Sequence, residues 1–212
     1  MGKPPKQKEK FVSVAKKHAD LTLVVHRQKT TWKFRVNSHT MINASTFFQT
    51  FLYTTDHESR WCHHNEEITI PEEWELVPQA FGFVMDLIHL NFDRHGRRMD
   101  LPTTSISDLY HVLRVTRTLG LGHVCSPFID KWMAPAKTWT FSPPKSGRDL
   151  VRALWIAAEV GDVQVFIDRS QQLCLSALAN AKGRLLSAEG MDIEKEFGGE
   201  GCLFSGLGFL GM

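Results

Sequence analysis

The chain has 212 residues, of which 42% are hydrophobic and 23% charged, and its formal net charge at pH 7 is +2. This size suits one globular domain with extensions or two small domains, because such a chain can bury a substantial core. The sequence contains no run of about 18 apolar residues, which excludes a predicted membrane-spanning helix. The N-terminus also lacks the apolar stretch of a secretory signal.

The cysteines point to a reducing compartment. The sequence holds 4 of them, widely scattered and with no C-x-x-C pair: Cys62, Cys125, Cys174 and Cys202. This pattern is typical of free thiols and not of a disulfide framework. We therefore expect an intracellular protein, in the nucleus or the cytoplasm.

Residues 1–17 form a Lys-rich segment. Its lysines are Lys3, Lys6, Lys8, Lys10, Lys16 and Lys17. Such charge blocks are usually solvated ends, so we predict a tail. The alternative is a nucleic-acid or nuclear-import patch, although no aromatic residues interleave with most of these lysines. The apolar residues Phe11, Val12 and Val14 are unusual in such a tail.

A β-hairpin is predicted next. Residues 20–25, Asp-Leu-Thr-Leu-Val-Val, form a short run rich in branched residues, which indicates a strand. A polar turn follows, and apolar and charged residues then alternate over 32–36, which is typical of a half-buried strand.

The pattern then becomes helical. Asn37 or Ser38 can cap a short helix, and the Ser45 hydroxyl can accept from a free N–H in the first turn of a second one. Residues 53–65 are polar and are predicted to form a loop. Residues 67–71 form a short strand that ends at a proline.

The remainder of the chain is predicted to be mostly helical. Residues 77–88 carry an apolar stripe, and a second helix over 105–119 ends at Gly120, which suits a left-handed cap. Ser126 and Pro127 signal another helix start. Three prolines over 135–147 indicate a linker, and 150–178 returns to helical periodicity.

This order of elements resembles a BTB/POZ domain, and particular residues carry the resemblance. The run from Asp20 to Val25 is similar to the family's D-φ-x-L-V-V strand, where φ is apolar, and residues 68–71 resemble its I-x-L-P strand. Asn37 stands where many members have His, and Met41 where they have Leu. The matched signature positions, all structural, are Asp20, Phe34, Val36, Asn37, Met41, Ser45 and Phe48.

The resemblance implies an α+β fold of the BTB/POZ type, similar to fungal members that continue into a helical extension. The expected organisation is a Lys-rich tail (1–17), a BTB/POZ domain (18–133), a Pro-rich linker (134–147), a helical extension (148–197) and a Gly-rich tail (198–212). We expect residues 148–178 to dock on the domain through its last helix, at residues 128–133.

The resemblance further implies a protein–protein interaction module that forms homodimers and docks larger partners, with an adaptor role as one form of this function. The implied dimer face comprises Phe11, Val12, Val14 and Met41. The alternative is that the first three of these residues pack on their own domain. Members that recruit a cullin scaffold use an apolar-x-Glu element. Here residues 56–58, Asp-His-Glu, lack the apolar residue, so we expect weak or absent cullin binding.

Catalytic and metal-binding interpretations have less support. His57, Cys62, His63 and His64 form the best metal-like cluster, but the ordinary interpretation is a polar surface loop. Cys174 lies in an apolar run and is expected to behave as a small buried hydrophobe. We therefore expect no catalytic residues, no metal and no cofactor. The alternative function is a transcription or chromatin regulator that contacts nucleic acid through the Lys-rich tail.

Overall fold

A computed structural model describes residues 8–15, 18–54, 66–91, 105–138, 147–176, 178–179, 185–187, 190 and 193. Over these residues the protein has an α+β fold, which confirms the predicted fold class. The described residues fall into two compact units: those within Met1–Thr103 and His111–Phe128, and those within Thr104–Tyr110 and Ile129–Met212.

The first unit is built on a sheet with the strand order β1-β3-β2-β4. The strands are Lys8–Ser13 (β1), Leu21–Arg27 (β2), Thr30–Val36 (β3) and Glu66–Thr69 (β4). Strands β2 and β3 are antiparallel, which confirms the predicted hairpin, whereas β4 runs parallel to β2. A two-residue turn joins the hairpin, and Gln28 in it adopts a φ of 54°.

Strand β1 lies within the segment that was predicted to be a Lys-rich tail. It pairs in parallel with β3, and Val12 lies opposite Phe34 in this register. The pairing gives the backbone regular hydrogen-bond partners, and Val14, just beyond the strand, is fully buried. Charge content alone predicted a solvated end, whereas Val12 and Val14 alternate with the exposed Phe11 and Ser13, as in a half-buried strand.

Five helices contribute to the first unit wholly or in part. They are Ser38–Ala44 (α1), Thr46–Thr54 (α2), Pro78–Ile88 (α3), Ile106–Thr118 (α4) and Gly122–Thr138 (α5), and a 3₁₀ helix covers Glu72–Trp74. The Phe34 and Phe81 rings pack with centroids 5.0 Å apart, which joins β3 to α3. Leu23 and Phe48 are fully buried in the same unit.

Helix α5 is longer than the predicted helix at both ends. Its first turn closes before Ser126, because Val124 and Cys125 donate backbone hydrogen bonds to the Leu121 carbonyl. At the other end the helix continues to Thr138, past Pro135, into the segment predicted to be a linker. Proline inside a helix removes one backbone donor and crowds the carbonyl four residues earlier, which is why the sequence predicted a helix end at Pro135.

The second unit contains Gly147–Val160 (α6), Val163–Ser176 (α7) and a small strand pair, Leu178–Ala179 (β5) and Leu185–Leu186 (β6). The Trp155 ring meets Tyr110 edge-on at 5.0 Å, and Arg152 donates to the Ser107 hydroxyl at 2.8 Å. Helix α6 therefore packs on the first turn of α4. No helix in the described part of the chain is long and apolar enough to cross a membrane.

Gly120 ends α4 with a φ of +65°, as the sequence predicted for a left-handed cap. A Cβ atom at this position would also collide with the Thr46 hydroxyl at the start of α2. Glycine is therefore required by both backbone conformation and available space. Gly161 has a φ of +75° but open space around it, so it provides a matched comparison.

We predict that Gly120→Ala lowers the free energy of unfolding more than Gly161→Ala does. Both substitutions force an L-residue into the left-handed region, at a cost of about 1–2 kcal/mol. Only Gly120→Ala adds a steric conflict with Thr46. Adding Thr46→Ala to Gly120→Ala should therefore remove the difference in unfolding free energy between the two glycine variants. Chemical denaturation of the single and double variants measures these effects, and equal losses at both glycines would contradict the close approach.

We also predict that Trp155→Ala lowers the free energy of unfolding by about 3–5 kcal/mol, because it removes a large buried aromatic side chain. Trp155 is 8% exposed, whereas Val163 in the next helix is 67% exposed. Val163→Ala is the control and should change stability by less than about 0.5 kcal/mol. Similar small losses for both variants in thermal melts would show that α6 contributes little to folding.

Candidate interaction surface

Ser45 links three helices at a buried position. Its hydroxyl donates to the Leu119 carbonyl at the end of α4 and accepts from the Phe48 backbone N–H at 3.2 Å. Its own N–H donates to the Met41 carbonyl, which ends α1. The predicted capping role of Ser45 is therefore confirmed, and the contact with α4 is an additional one that the local sequence does not reveal.

Asp20 and Asn37 tie the hairpin to helix α1. Asp20 accepts from the Ser38 backbone N–H at 2.7 Å and from the Ser38 hydroxyl at 2.6 Å. The Asn37 side chain caps α1 by accepting from the Thr40 N–H at 2.9 Å. The same side chain donates to the His18 carbonyl at 2.8 Å, so Asn37 also holds the chain that leads into β2.

His89, just after α3, was missed by the sequence reasoning. Its Nε2 accepts from the Asn37 backbone N–H at 3.0 Å, and its Nδ1 lies 2.9 Å from the Met85 carbonyl. Since a carbonyl can only accept, Nδ1 carries the proton and the imidazole is neutral. Burial lowers the pKa of His89, although hydrogen bonding to Met85 and the nearby Asp86 oppose this shift.

The other signature positions belong to the hydrophobic core. The residue at each of these positions is at most 1% exposed to solvent: Phe34, Val36, Met41 and Phe48. Their contribution is packing, as the family resemblance implied. Because Met41 is fully buried within one chain, it does not form part of an exposed dimer face, and this part of the predicted face is corrected.

Of the remaining predicted face, Phe11 is the exposed member. It is 67% exposed on β1, whereas Val12 is half-buried and Val14 is fully buried. Val14 is covered because it continues β1 and its N–H donates to the Arg35 carbonyl at 2.9 Å. The predicted dimer face is thereby reduced to β1, with Phe11 at its centre.

Charged side chains of the described residues lie near the Phe11 and Trp32 rings. The Lys33 ammonium lies 5.6 Å from the Phe11 centroid and 2.9 Å from the Glu67 carboxylate on β4. The hydrogen bond with Glu67 raises the pKa of Lys33. Lys10 on β1 lies over the Trp32 ring, 4.2 Å from its centroid. We name the outward edge of β1 together with the exposed Phe11 ring the β1 edge.

The two described cysteines differ in environment. Cys125 is buried, and burial raises the pKa of its thiol to about 12, so the thiol is protonated and unreactive at neutral pH. Cys174 is exposed, which corrects the expectation of a buried hydrophobe, because Leu173 alone of the run 173–175 turns inward. Both are free thiols, as expected.

Several predicted groups lie outside the described residues. These are His57, Cys62, His63 and His64, the cullin-type element at 56–58 and most lysines of the N-terminal segment. Among the residues that the structure does describe, no group of three or more His, Cys, Asp or Glu side chains is arranged to hold a metal ion.

Comparison with known proteins adds no assignment. No protein-family model matches this chain, and no curated protein matches it significantly.

We predict that Ser45→Ala lowers the free energy of unfolding by about 1–3 kcal/mol, because it leaves the buried Leu119 carbonyl and Phe48 N–H without this partner. Ser126→Ala, at an exposed position in α5, is the control and should have little effect. Chemical denaturation measures both variants. If Ser45→Ala lowers the free energy of unfolding no more than Ser126→Ala does, the Ser45 hydroxyl is not needed for stability.

Proposed function

We propose that this protein is a protein–protein interaction module, similar in type to BTB/POZ domains, that self-associates through the β1 edge. The observation that carries the proposal is a strand at the end of the sheet with a largely exposed aromatic side chain at its centre. Edge strands present backbone groups that readily pair with a second strand. The proposed occupant of this edge is β1 of a second copy.

The backbone orientation of β1 supports this proposal. The N–H groups of Lys8 and Val14 donate to carbonyls at the two ends of β3, at Lys29 and Arg35. Because backbone groups alternate in direction along a strand, the N–H and C=O of Phe11 are directed away from β3. A second strand can therefore pair at Phe11 without disturbing the β1–β3 ladder.

The charge pattern of β1 disfavours some registers and is compatible with others, among them one centred on Phe11. A two-fold antiparallel pair centred on Glu9 would place Glu9 against Glu9 and Lys8 against Lys10, both unfavourable. Centring the pair on Phe11 places Phe11 against Phe11, Lys10 against Val12 and Glu9 against Ser13, with no like charges opposed. The two-fold symmetry is the one most common among homodimers.

The side chains on this edge add to the backbone pairing. In the Phe11-centred register the two exposed rings meet across the symmetry axis, where each loses contact with water. Aromatic cross-strand pairs contribute about 0.2–1 kcal/mol beyond an Ala pair. The neighbouring Lys33 is already compensated by Glu67, so it adds no uncompensated charge at the contact.

The alternative function, nucleic-acid binding through the Lys-rich segment, gains less support from the described residues. Lys10 is engaged with Trp32, and Lys33 with Phe11 and Glu67. These contacts reduce the cationic groups available for phosphate. Transcriptional or adaptor roles would follow from the partners that the module brings together, and we propose an intracellular site of action.

We predict that the full-length protein is dimeric and that Phe11→Ser weakens its association by up to about fivefold, equivalent to roughly 1 kcal/mol. The physical reason is the loss of the paired rings at the two-fold axis. Sedimentation velocity over a range of protein concentrations measures the association. Phe51→Ser removes a partly exposed ring from α2 and is the control, because α2 is not part of the β1 edge.

A second variant separates backbone pairing from the side-chain contact. Phe11→Pro removes the outward N–H while leaving the bonds from β1 to β3, and proline is tolerated on edge strands in this orientation. It should abolish association without unfolding the protein. A monomeric wild-type protein at all concentrations, or a dimer that survives both Phe11 variants, would contradict the proposal.

A further inference from the structure

The connection between β1 and β2 is held at both ends by asparagine side chains. Asn91 donates its Nδ2 to the Val14 carbonyl at 2.8 Å, just beyond β1. Asn37 donates its Nδ2 to the His18 carbonyl at 2.8 Å, shortly before β2. We call these two hydrogen bonds the asparagine clamps.

His89 is bonded directly to one clamp residue and lies close in sequence to the other. Its Nε2 accepts from the backbone N–H of Asn37, which provides one clamp. It lies two residues before Asn91, which provides the other, and the Asn91 side chain is oriented by a further 3.0 Å bond to the Asp86 carboxylate. The residue between them, Leu90, has a φ of 56°, so the turn is conformationally constrained.

The charged groups that face His89 from the described elements are both carboxylates. Asp86 lies on α3, and Asp20 precedes β2 and is bonded to Ser38 at the start of α1. Each favours the charged imidazole, whereas burial, the largest effect, disfavours it and lowers the pKa of His89. The net result keeps the imidazole neutral at neutral pH.

Protonation of this imidazole is incompatible with its hydrogen bonds. A proton on Nε2 would point at the Asn37 N–H, so that two donors face each other. The Asn37 backbone must then move, and its side chain moves with it. The new positive charge also attracts the Asp86 carboxylate, which is the group that orients Asn91 for the other clamp.

We propose that His89 is a proton-controlled latch that holds the end of β1 on the sheet, and that its protonation opens the asparagine clamps and releases the strand. The coupling of this latch to self-association rests on the proposed function of the β1 edge. Acidification should then weaken the dimer, because the strand that forms the contact is no longer fixed in the sheet.

The direction of the pH effect follows from the lowered pKa. The ordinary pKa of His is 6.5, and the folded value is below it. The unfolded chain, or a chain with the latch open, therefore binds the proton more readily than the closed state does. The stability of the closed state is complete above the ordinary pKa and declines as the pH falls from there toward the folded pKa.

Hydrogen exchange of the full-length protein tests the latch directly. The experiment compares the Val12 and Val14 amides with the Leu23 amide of β2, at about pH 7.5 and about pH 5.5, after correction for intrinsic rates. Because the lower pH lies about one unit below the ordinary His pKa of 6.5, protection of the β1 amides should fall there by at most about tenfold, however far the pKa of His89 is lowered. Leu23 should change much less.

The matched variants are His89→Gln and His39→Gln. Glutamine at position 89 can still accept from the Asn37 N–H but does not titrate, so the pH dependence of β1 protection should disappear. His39 is exposed on α1, and its replacement should leave the pH dependence intact. If His89→Gln does not fold, NMR titration of the wild-type imidazole replaces it, and His89 and the β1 amides should share one midpoint.

The outcomes separate the latch from the dimer. The same exchange measurement on Phe11→Ser, which lacks the proposed dimer contact, must show the same pH dependence if the latch acts within one chain. Equal β1 protection at both pH values, or pH dependence that persists in His89→Gln, would overturn the latch even if the dimer is confirmed. Conversely, a monomeric wild-type protein with a working latch would refute only the dimer.

Discussion

The arrangement of elements in the first unit depends on the hydrogen bonds that Asn37 makes at the start of α1. A helix start leaves backbone donors without partners, and the polar groups of the chain that enters it must also be satisfied. Asn37 caps the helix, holds the His18 carbonyl and donates its own N–H to His89. One residue therefore fixes the relative positions of the hairpin, α1 and the end of α3.

This arrangement also explains how the sheet can carry β1 at its edge. An edge strand is paired on one side only, so it is held less firmly than a central strand. Here additional side-chain bonds act where the ladder ends, through Asn91 to Val14. The strand is thereby ordered within one chain while its outward side stays directed to its surroundings, which is the combination that an interaction edge requires.

Local sequence patterns were sufficient for the elements whose signals are local. The hairpin, the cap at Ser45 and the left-handed Gly120 each depend on neighbouring residues, and each was predicted. Strand β1 was not, because its lysines dominate the composition and its partner strand lies further along the chain. His89 was missed because its role comes from a contact with Asn37, which is 52 residues away. Likewise, no local pattern distinguishes a buried Met41 from one at a surface.

The parallel pairing of β1 with β3 has a consequence for synthesis of the protein. Lys8 leaves the ribosome well before Thr30, the residue with which it is paired. The β2–β3 hairpin is local and can form as soon as β3 emerges, whereas β1 must wait for that surface to exist. During this interval the strand is an unpaired segment in a crowded environment. Charges beside an apolar strand disfavour aggregation, so the lysines that obscure β1 in the sequence are also of the kind that suits a strand whose partner is made later.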